Sequence, residues 1–282
     1  MYRIRIPIAL AFLGMVGLFF YIDLKTNTSY ATGSILAILI SVALWELYKL
    51  LMARDFLPCA KIATFACLSG IILYIFAIEY PCLKSLKIVE FYEATIFIFF
   101  LMYPVVRREE EKVLENTFST LFGILYIYFT LSYLMKIRSL GTKEEGLIYL
   151  LLVVLVAKGM DMGGYLIGKW IGKHKLCPSI SPKKSWEGAV AGLFFSLSIA
   201  YFMRESFTVL SQNFNWFYLI LFSFITGILS LWGDLSESLI KRRCQIKDSS
   251  NLIPEFGGIL DLMDSLTFTA PFGYYFLVFL GA

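Results

Sequence analysis

Cations and carboxylates crowd one short stretch of an otherwise apolar chain. Between Ser238 and Asp264 lie Lys241, Arg242, Arg243, Lys247, Asp248, Asp261 and Asp264, and Asp234 stands just upstream. Asp261 and Asp264 are three residues apart at the start of an apolar run, a spacing that puts both carboxylates on one face of a helix. Asp234 closes the preceding apolar run, so the loop between can fold back and bring it close. A carboxylate inside a bilayer costs ~2.5–3.5 kcal/mol, and several together also repel. A divalent cation removes both costs. Mg²⁺ takes one or two protein carboxylates and completes its octahedron with water and substrate phosphates. A single Asp at a helix start is more often a cap. The cluster, with cations interleaved, points to a metal and phosphate site.

Lys241, Arg242 and Lys247 suit anionic oxygens, Arg as a bidentate fork and Lys as a point charge. Asp248 is placed to orient Lys247. Ser249, Ser250 and Asn251 add short donors, and Pro254, Gly257 and Gly258 make a tight turn open to close backbone approach. A second polar stretch runs from Gly168 to Gly188. There Ser181, Lys183, Lys184 and Ser185 are candidate phosphate contacts, and Glu187 is expected to pair with Lys184. His174, the only histidine, is expected to be a bystander among lysines and rules out a multi-histidine metal site. Asp161 lies deep in an apolar run, where an ionisable residue is a functional candidate. Lys158, one turn away, is placed to neutralise it.

These residues must be positioned by membrane helices. The chain is 59 % hydrophobic and 16 % charged, far from a soluble domain. A span needs ~20 mostly apolar residues, and about nine such runs are read at 5–22, 31–52, 62–80, 90–106, 118–135, 146–171, 188–203, 216–233 and 265–282. Only helices or closed barrels satisfy backbone groups in lipid, so the expected fold is an all-α polytopic membrane bundle. Arg3 and Arg5 precede the first run, which is read as an uncleaved helix and not a secretory signal. With the N-terminus inside, the inner connections carry fifteen Lys and Arg against seven outside. The N-terminus and the polar stretches are therefore expected to face the cytoplasm.

Polarity divides the chain near residue 140. Residues 1–140 read as spans with short loops, an anchoring half and a possible dimer interface; residues 141–282 hold the chemistry. Gly164, Gly168 and Gly172, and again Gly188 and Gly192, recur every four residues, a spacing that brings the sixth and seventh spans into close contact. The net charge of +4 suits an anionic inner leaflet, and no nucleic-acid partner is expected. The five cysteines form no close pair and no metal-ligand spacing.

The run Ser-x-x-Lys-Arg-x4-Lys-Asp-x-Ser-x2-Ile-Pro-x-x-Gly-Gly-Ile-x-Asp-x-x-Asp, from Ser238, resembles the signature of phosphatidate cytidylyltransferases (CDP-diacylglycerol synthases). Asp-x-Gly-Gly-Tyr from Asp161 and Ser-Pro-Lys-Lys-Ser-Trp-Glu-Gly from Ser181 are similar to that family too. The motifs cover about residues 158–264. Two positions depart from the pattern: Phe256 stands where the family has His, and Leu262 where it has Arg. Met162 replaces a common Thr.

The resemblance implies cytidylyl transfer from CTP to phosphatidate, giving CDP-diacylglycerol and pyrophosphate. It implies Mg²⁺ on Asp234 and Asp261, with Asp264 completing the site or holding a second cation. Lys247 and Asp248 join these as catalytic candidates. Ser181, Lys183, Lys184, Ser238, Lys241, Arg242, Asn251 and Asp161 are the substrate-binding candidates. The family further implies a homodimer in a bacterial inner membrane. Two other readings stay open: a CTP-dependent lipid or polyprenol kinase, and a non-catalytic polytopic protein or transporter.

Overall fold

A computed structural model describes residues 14, 17–80, 82–83, 87–107, 111–250, 252 and 257–281 of the chain. Its elements are α1 (Tyr30–Met52), α2 (Ala60–Glu79), α3 (Ile88–Val106), α4 (Val113–Gly123), a π-helical turn (Ile124–Phe129), α5 (Thr130–Arg138) and α6 (Lys143–Ile171). Then follow β1 (Lys175–Cys177), β2 (Ser181–Ser185), α7 (Trp186–Ser206), α8 (Thr208–Asn213), α9 (Trp216–Arg243), α10 (Ile259–Met263) and α11 (Leu266–Phe279).

Among the described residues, seven helices are long and apolar enough to cross a membrane: α1, α2, α3, the run Val113–Arg138, α6, α7 and α9. The chain is an all-α polytopic integral membrane protein, and seven of the expected spans stand where hydropathy put them. The first expected span falls mostly outside the described residues. The last contains α11, whose 14 residues are fewer than the ~20 a perpendicular crossing needs. The count of nine is thus not reached among the described residues.

The chain divides into two compact units, Met1–Met135 with Asp248–Leu262, and Lys136–Lys247 with Met263–Ala282. The segment Asp248–Leu262 therefore belongs with the N-terminal helices, although the sequence pattern groups it with the later ones.

In the first unit, α1 packs on α2, α4 and the π turn, and α2 packs on α3. Ile40, Leu44, Leu47 and Tyr48 of α1 are fully buried. The Tyr48 hydroxyl donates to the Thr120 carbonyl at 2.9 Å, and its ring lies against Gly123. The helix changes pitch at the next residue, as π turns do where a side chain crowds one face. Asn116 and Thr120 also accept the amides of Leu57 and Cys59, at 2.8 and 2.9 Å. Their side chains tie down the connection between α1 and α2.

In the second unit, α6 opens with a capping box: Thr142 accepts from the Glu145 amide, and the Glu145 carboxylate accepts from the Thr142 amide. The expected glycine contact forms. A methyl group on Gly188 would lie 2.8 Å from the Gly164 carbonyl oxygen, and one on Gly192 2.6 Å from that of Met160. Only hydrogen at these positions lets the backbones of α6 and α7 approach so closely. α9 packs on α7, α6 and α11.

Two local expectations are corrected. The stretch between α6 and α7 is not a plain loop: β1 and β2 pair antiparallel, with Lys175 opposite Ser185 and Cys177 opposite Ser181. Asp234 does not end its span, because α9 continues to Arg243. Its last turns are polar but contain no Gly or Pro to stop the helix. They carry the i,i+4 pair Glu237–Lys241 and place Lys241, Arg242 and Arg243 at the negative end of the helix dipole.

Candidate functional site

Four separate parts of the second unit meet around Lys158. Its ammonium lies 3.3 Å from Asp161 Oδ2 on the same helix, 4.0 Å from Asp264 Oδ1 and 2.7 Å from the Ser265 hydroxyl. Asp161 also lies 3.4 Å from the Ser230 hydroxyl of α9. One turn along α9, Asp234 pairs with Lys184 of β2 at 2.7 Å and accepts from the Ser238 hydroxyl at 3.3 Å. The turn between α10 and α11 brings Asp264 in. Gly233 makes that approach possible, because a side chain there would overlap the Asp264 carbonyl oxygen. Three carboxylates and two lysines thus share one small, mostly buried region.

The electrostatics of this cluster favour a further positive charge. Burial pushes the Asp264 carboxyl well above the usual carboxylate range, and the neighbouring Asp234 adds to that; Lys158 opposes it only in part. The donors are all oxygens, the set that suits Mg²⁺ and not a thiophilic metal. Among the described residues no group of three His, Cys, Asp or Glu is arranged as a ready-made metal site. A cation held by one or two carboxylates with substrate oxygens fits this donor set.

The hairpin and α9 also touch where Arg242 Nε donates to the Ile180 carbonyl at 3.3 Å. Lys241 lies 2.5 Å from the buried carboxylate of Glu237. Ser181 is half-buried, and Lys183 is exposed on β2. Lys247 and Asp248 are exposed just beyond α9. Glu187 does not pair with Lys184. It accepts from the backbone amide of His174 and lies 2.6 Å from His174 Nδ1. The strand pairing explains the change, since it carries Lys184 to α9 and leaves Glu187, on the first turn of α7, beside His174.

Asp261 lies in the first unit. Its Oδ2 accepts from the amide of Gly258 at 2.7 Å, from the amide of Ser249 at 3.2 Å, and lies 2.8 Å from the Ser249 hydroxyl. That hydroxyl is also 3.2 Å from Glu46 Oε2, so one proton serves two carboxylates. Glu46, 1 % exposed on α1, further accepts from the Leu260 amide at 2.8 Å and the Ser250 hydroxyl at 2.5 Å. Both glycines of the pair are required here. Gly257 has φ +93°, a left-handed conformation, and a side chain on Gly258 would overlap Ser249 and Glu46. Glu46 was not among the residues expected from sequence. The signal was present, because a carboxylate inside an apolar span is a functional candidate by default. Asn251, Pro254 and Phe256 lie outside the described residues.

The fold and the clustered carboxylates and lysines define a polytopic membrane protein with a partly buried cluster of paired charges. The chain belongs to the cytidylyltransferase family, whose model matches residues 3–280. It is similar to the phosphatidate cytidylyltransferase of Haemophilus influenzae, 44 % identical over 136 residues, which are 48 % of this chain and 47 % of that protein. The Bacillus subtilis phosphatidate cytidylyltransferase is 37 % identical over 177 residues, 63 % of this chain and 64 % of that protein. The Staphylococcus saprophyticus protein of the same name is 40 % identical over 177 residues, covering 61 % and 62 %. The matches therefore span less than two thirds of these relatives.

Proposed function

We propose that the protein transfers cytidylyl from CTP to phosphatidate, giving CDP-diacylglycerol and pyrophosphate. The observation that carries this reading is the meeting of Asp161, Lys184, Asp234 and Asp264 around Lys158. Three sequence motifs converge there, in a family whose named relatives are phosphatidate cytidylyltransferases. A phosphate oxygen of the lipid attacks the α-phosphorus of CTP. The bond from that phosphorus to the bridging oxygen breaks, and pyrophosphate leaves with the electron pair. Both reactants are polyanions, so positioning and charge neutralisation do most of the work.

Asp234 and Asp264 are the proposed holders of Mg²⁺. When bound, it neutralises phosphate oxygens as charge moves to the leaving group. Lys184 and Lys158 keep the carboxylates in place and supply positive charge beside the reacting phosphates. Lys183 and Arg242 provide further phosphate contacts. An ionised lipid phosphate needs no general base, which makes a Phe at position 256 tolerable. Asp261 holds the turn at Ser249 and Gly258 that follows α9. The excess of Lys and Arg in alternate connections supports a cytoplasmic N-terminus and site, in a bacterial inner membrane.

The test supplies membranes containing the protein with phosphatidate, Mg²⁺ and CTP labelled either on cytidine or on the γ-phosphate. Lipid labelled from cytidine-labelled CTP is expected. Lipid labelled only from γ-labelled CTP would replace this reading with a lipid kinase, and no lipid label from either would remove it.

A further inference from the structure

On the flank of the α6–α7 pair, an open cleft of about 980 Å³ lies apart from the carboxylate cluster. Its walls are two apolar stripes at helical spacing: Ile167 and Ile171 on α6, and Val190 and Phe194 on α7. Ile171, Val190 and Phe194 are 57 %, 51 % and 65 % exposed, so the groove is apolar and not covered by the described residues. At one end the character changes. Lys173 and Lys175 line the mouth, one in the connection after α6 and one on β1. Trp186 lines it too, and it and nearby Trp170 are exposed, as expected of side chains at a membrane–water boundary.

Charge decides what fits. Glu187 also lines this mouth, but its carboxylate is already satisfied by the backbone amide and ring of His174. Neither Lys173 nor Lys175 has an ion-pair partner among the described residues. The cleft is therefore apolar along its length and positive at its mouth. A volume of this order holds a ligand of moderate size, and here one wall of the groove would be the ligand's own surroundings in the bilayer.

We propose that this cleft binds an anionic glycerophospholipid, with one acyl chain along Ile167, Ile171, Val190 and Phe194 and its phosphate between Lys173 and Lys175. A soluble phosphate compound would leave the groove unused, and a zwitterionic lipid would bring no net charge to the lysines. The site is independent of the transfer reaction proposed above, and lipid retention, not turnover, is its readout.

The experiment is native mass spectrometry of the full chain released from neutral detergent containing phosphatidylglycerol or phosphatidylcholine at equal concentrations. The wild type is expected to retain phosphatidylglycerol at least about tenfold more, on the scale of two surface lysines acting on one anionic headgroup. Lys173→Ala with Lys175→Ala is expected to abolish that preference. Phe194→Ser, at an exposed position, is expected to weaken retention while keeping the preference. Equal retention of the two lipids by the wild type would overturn the site, as would an undiminished preference in the double lysine variant. Displacement of the lipid by glycerol 3-phosphate at equal concentration would also overturn it, because the groove would then contribute nothing. Each variant is compared with the wild type by thermal unfolding in the same detergent. If the double variant fails to fold, Lys173→Gln alone is expected to halve the preference or more, and an unchanged preference there counts against the site.

Discussion

Lys184 on β2 and Asp234 on α9 lie fifty positions apart in the chain and meet at 2.7 Å. The pair fastens the hairpin to the helix that carries one of the proposed metal ligands. Its side chains are only 18 % and 29 % exposed, so neither charge is well served by water when its partner is lost. Lys184→Ala is expected to lower cytidylyl transfer by at least about 10²-fold, the scale of losing one preorganised charge contact to the reacting phosphates. Steady-state rates at saturating CTP check this. Arginine at 184 is expected to recover only part of the rate, because its fork does not reproduce a single ammonium.

Mg²⁺ removal is expected to stop turnover reversibly. With the metal chelated and then restored, the wild type should regain full activity. Asp264→Asn is expected to need a higher Mg²⁺ concentration for half-maximal rate, since one carboxylate is lost from the pair with Asp234. An unchanged Mg²⁺ dependence in that variant would remove Asp264 from the metal site.

Asp261→Asn is expected to loosen the turn at Ser249 and Gly258 and to lower activity together with the melting temperature. An amide keeps the size of the side chain but accepts fewer of the contacts from Ser249 and Gly258. Full activity and an unchanged melting temperature in this variant would show that the turn does not depend on Asp261.

Glu46 gives a stability prediction. Glu46→Ala leaves the Leu260 amide and the Ser250 hydroxyl without their acceptor, while the Ser249 hydroxyl keeps Asp261. Each unmet group costs about 1–3 kcal/mol, so the variant should be destabilised by roughly 2–5 kcal/mol. Hydrogen exchange at the Leu260 amide should accelerate along with the fall in melting temperature. Glu46→Gln, which keeps one acceptor, is expected to be milder.

The α6–α7 contact predicts an asymmetry between two glycines. A methyl at Gly188 would lie 2.8 Å from the Gly164 carbonyl oxygen, whereas one at Gly164 would meet its nearest neighbour at 3.5 Å. Gly188→Ala should therefore cost about 1–3 kcal/mol, and Gly164→Ala should be nearly neutral. Thermal unfolding of the two variants in detergent separates them.

Hydropathy made the spans legible because lipid imposes it on every crossing helix, and the glycine spacing gave the α6–α7 contact. The ends were harder. Charge ends the apolar run at Asp234, yet helix geometry depends on backbone hydrogen bonds, which Glu237 and Lys241 support as well as leucines do. Pairing was harder still. Glu187 sits three residues from Lys184 but meets His174, because β1 and β2 bring those two together. The partners of Glu46 lie at Ser249, Ser250 and Leu260, and one-dimensional patterns do not show such contacts.

The attachment of Asp248–Leu262 to the N-terminal helices has a consequence for biosynthesis. Glu46 is buried, and its partners are made 203 residues or more later. At ~5–20 residues per second, that is roughly 10–40 seconds of translation. During that interval α1 sits in the membrane with an unsatisfied acid on its inner face. The N-terminal unit therefore cannot reach its final state as it leaves the ribosome, and must wait for a segment encoded near the end of the message. A chain halted before residue 248 would leave that unit incomplete, with Glu46 lacking Ser249, Ser250 and Leu260.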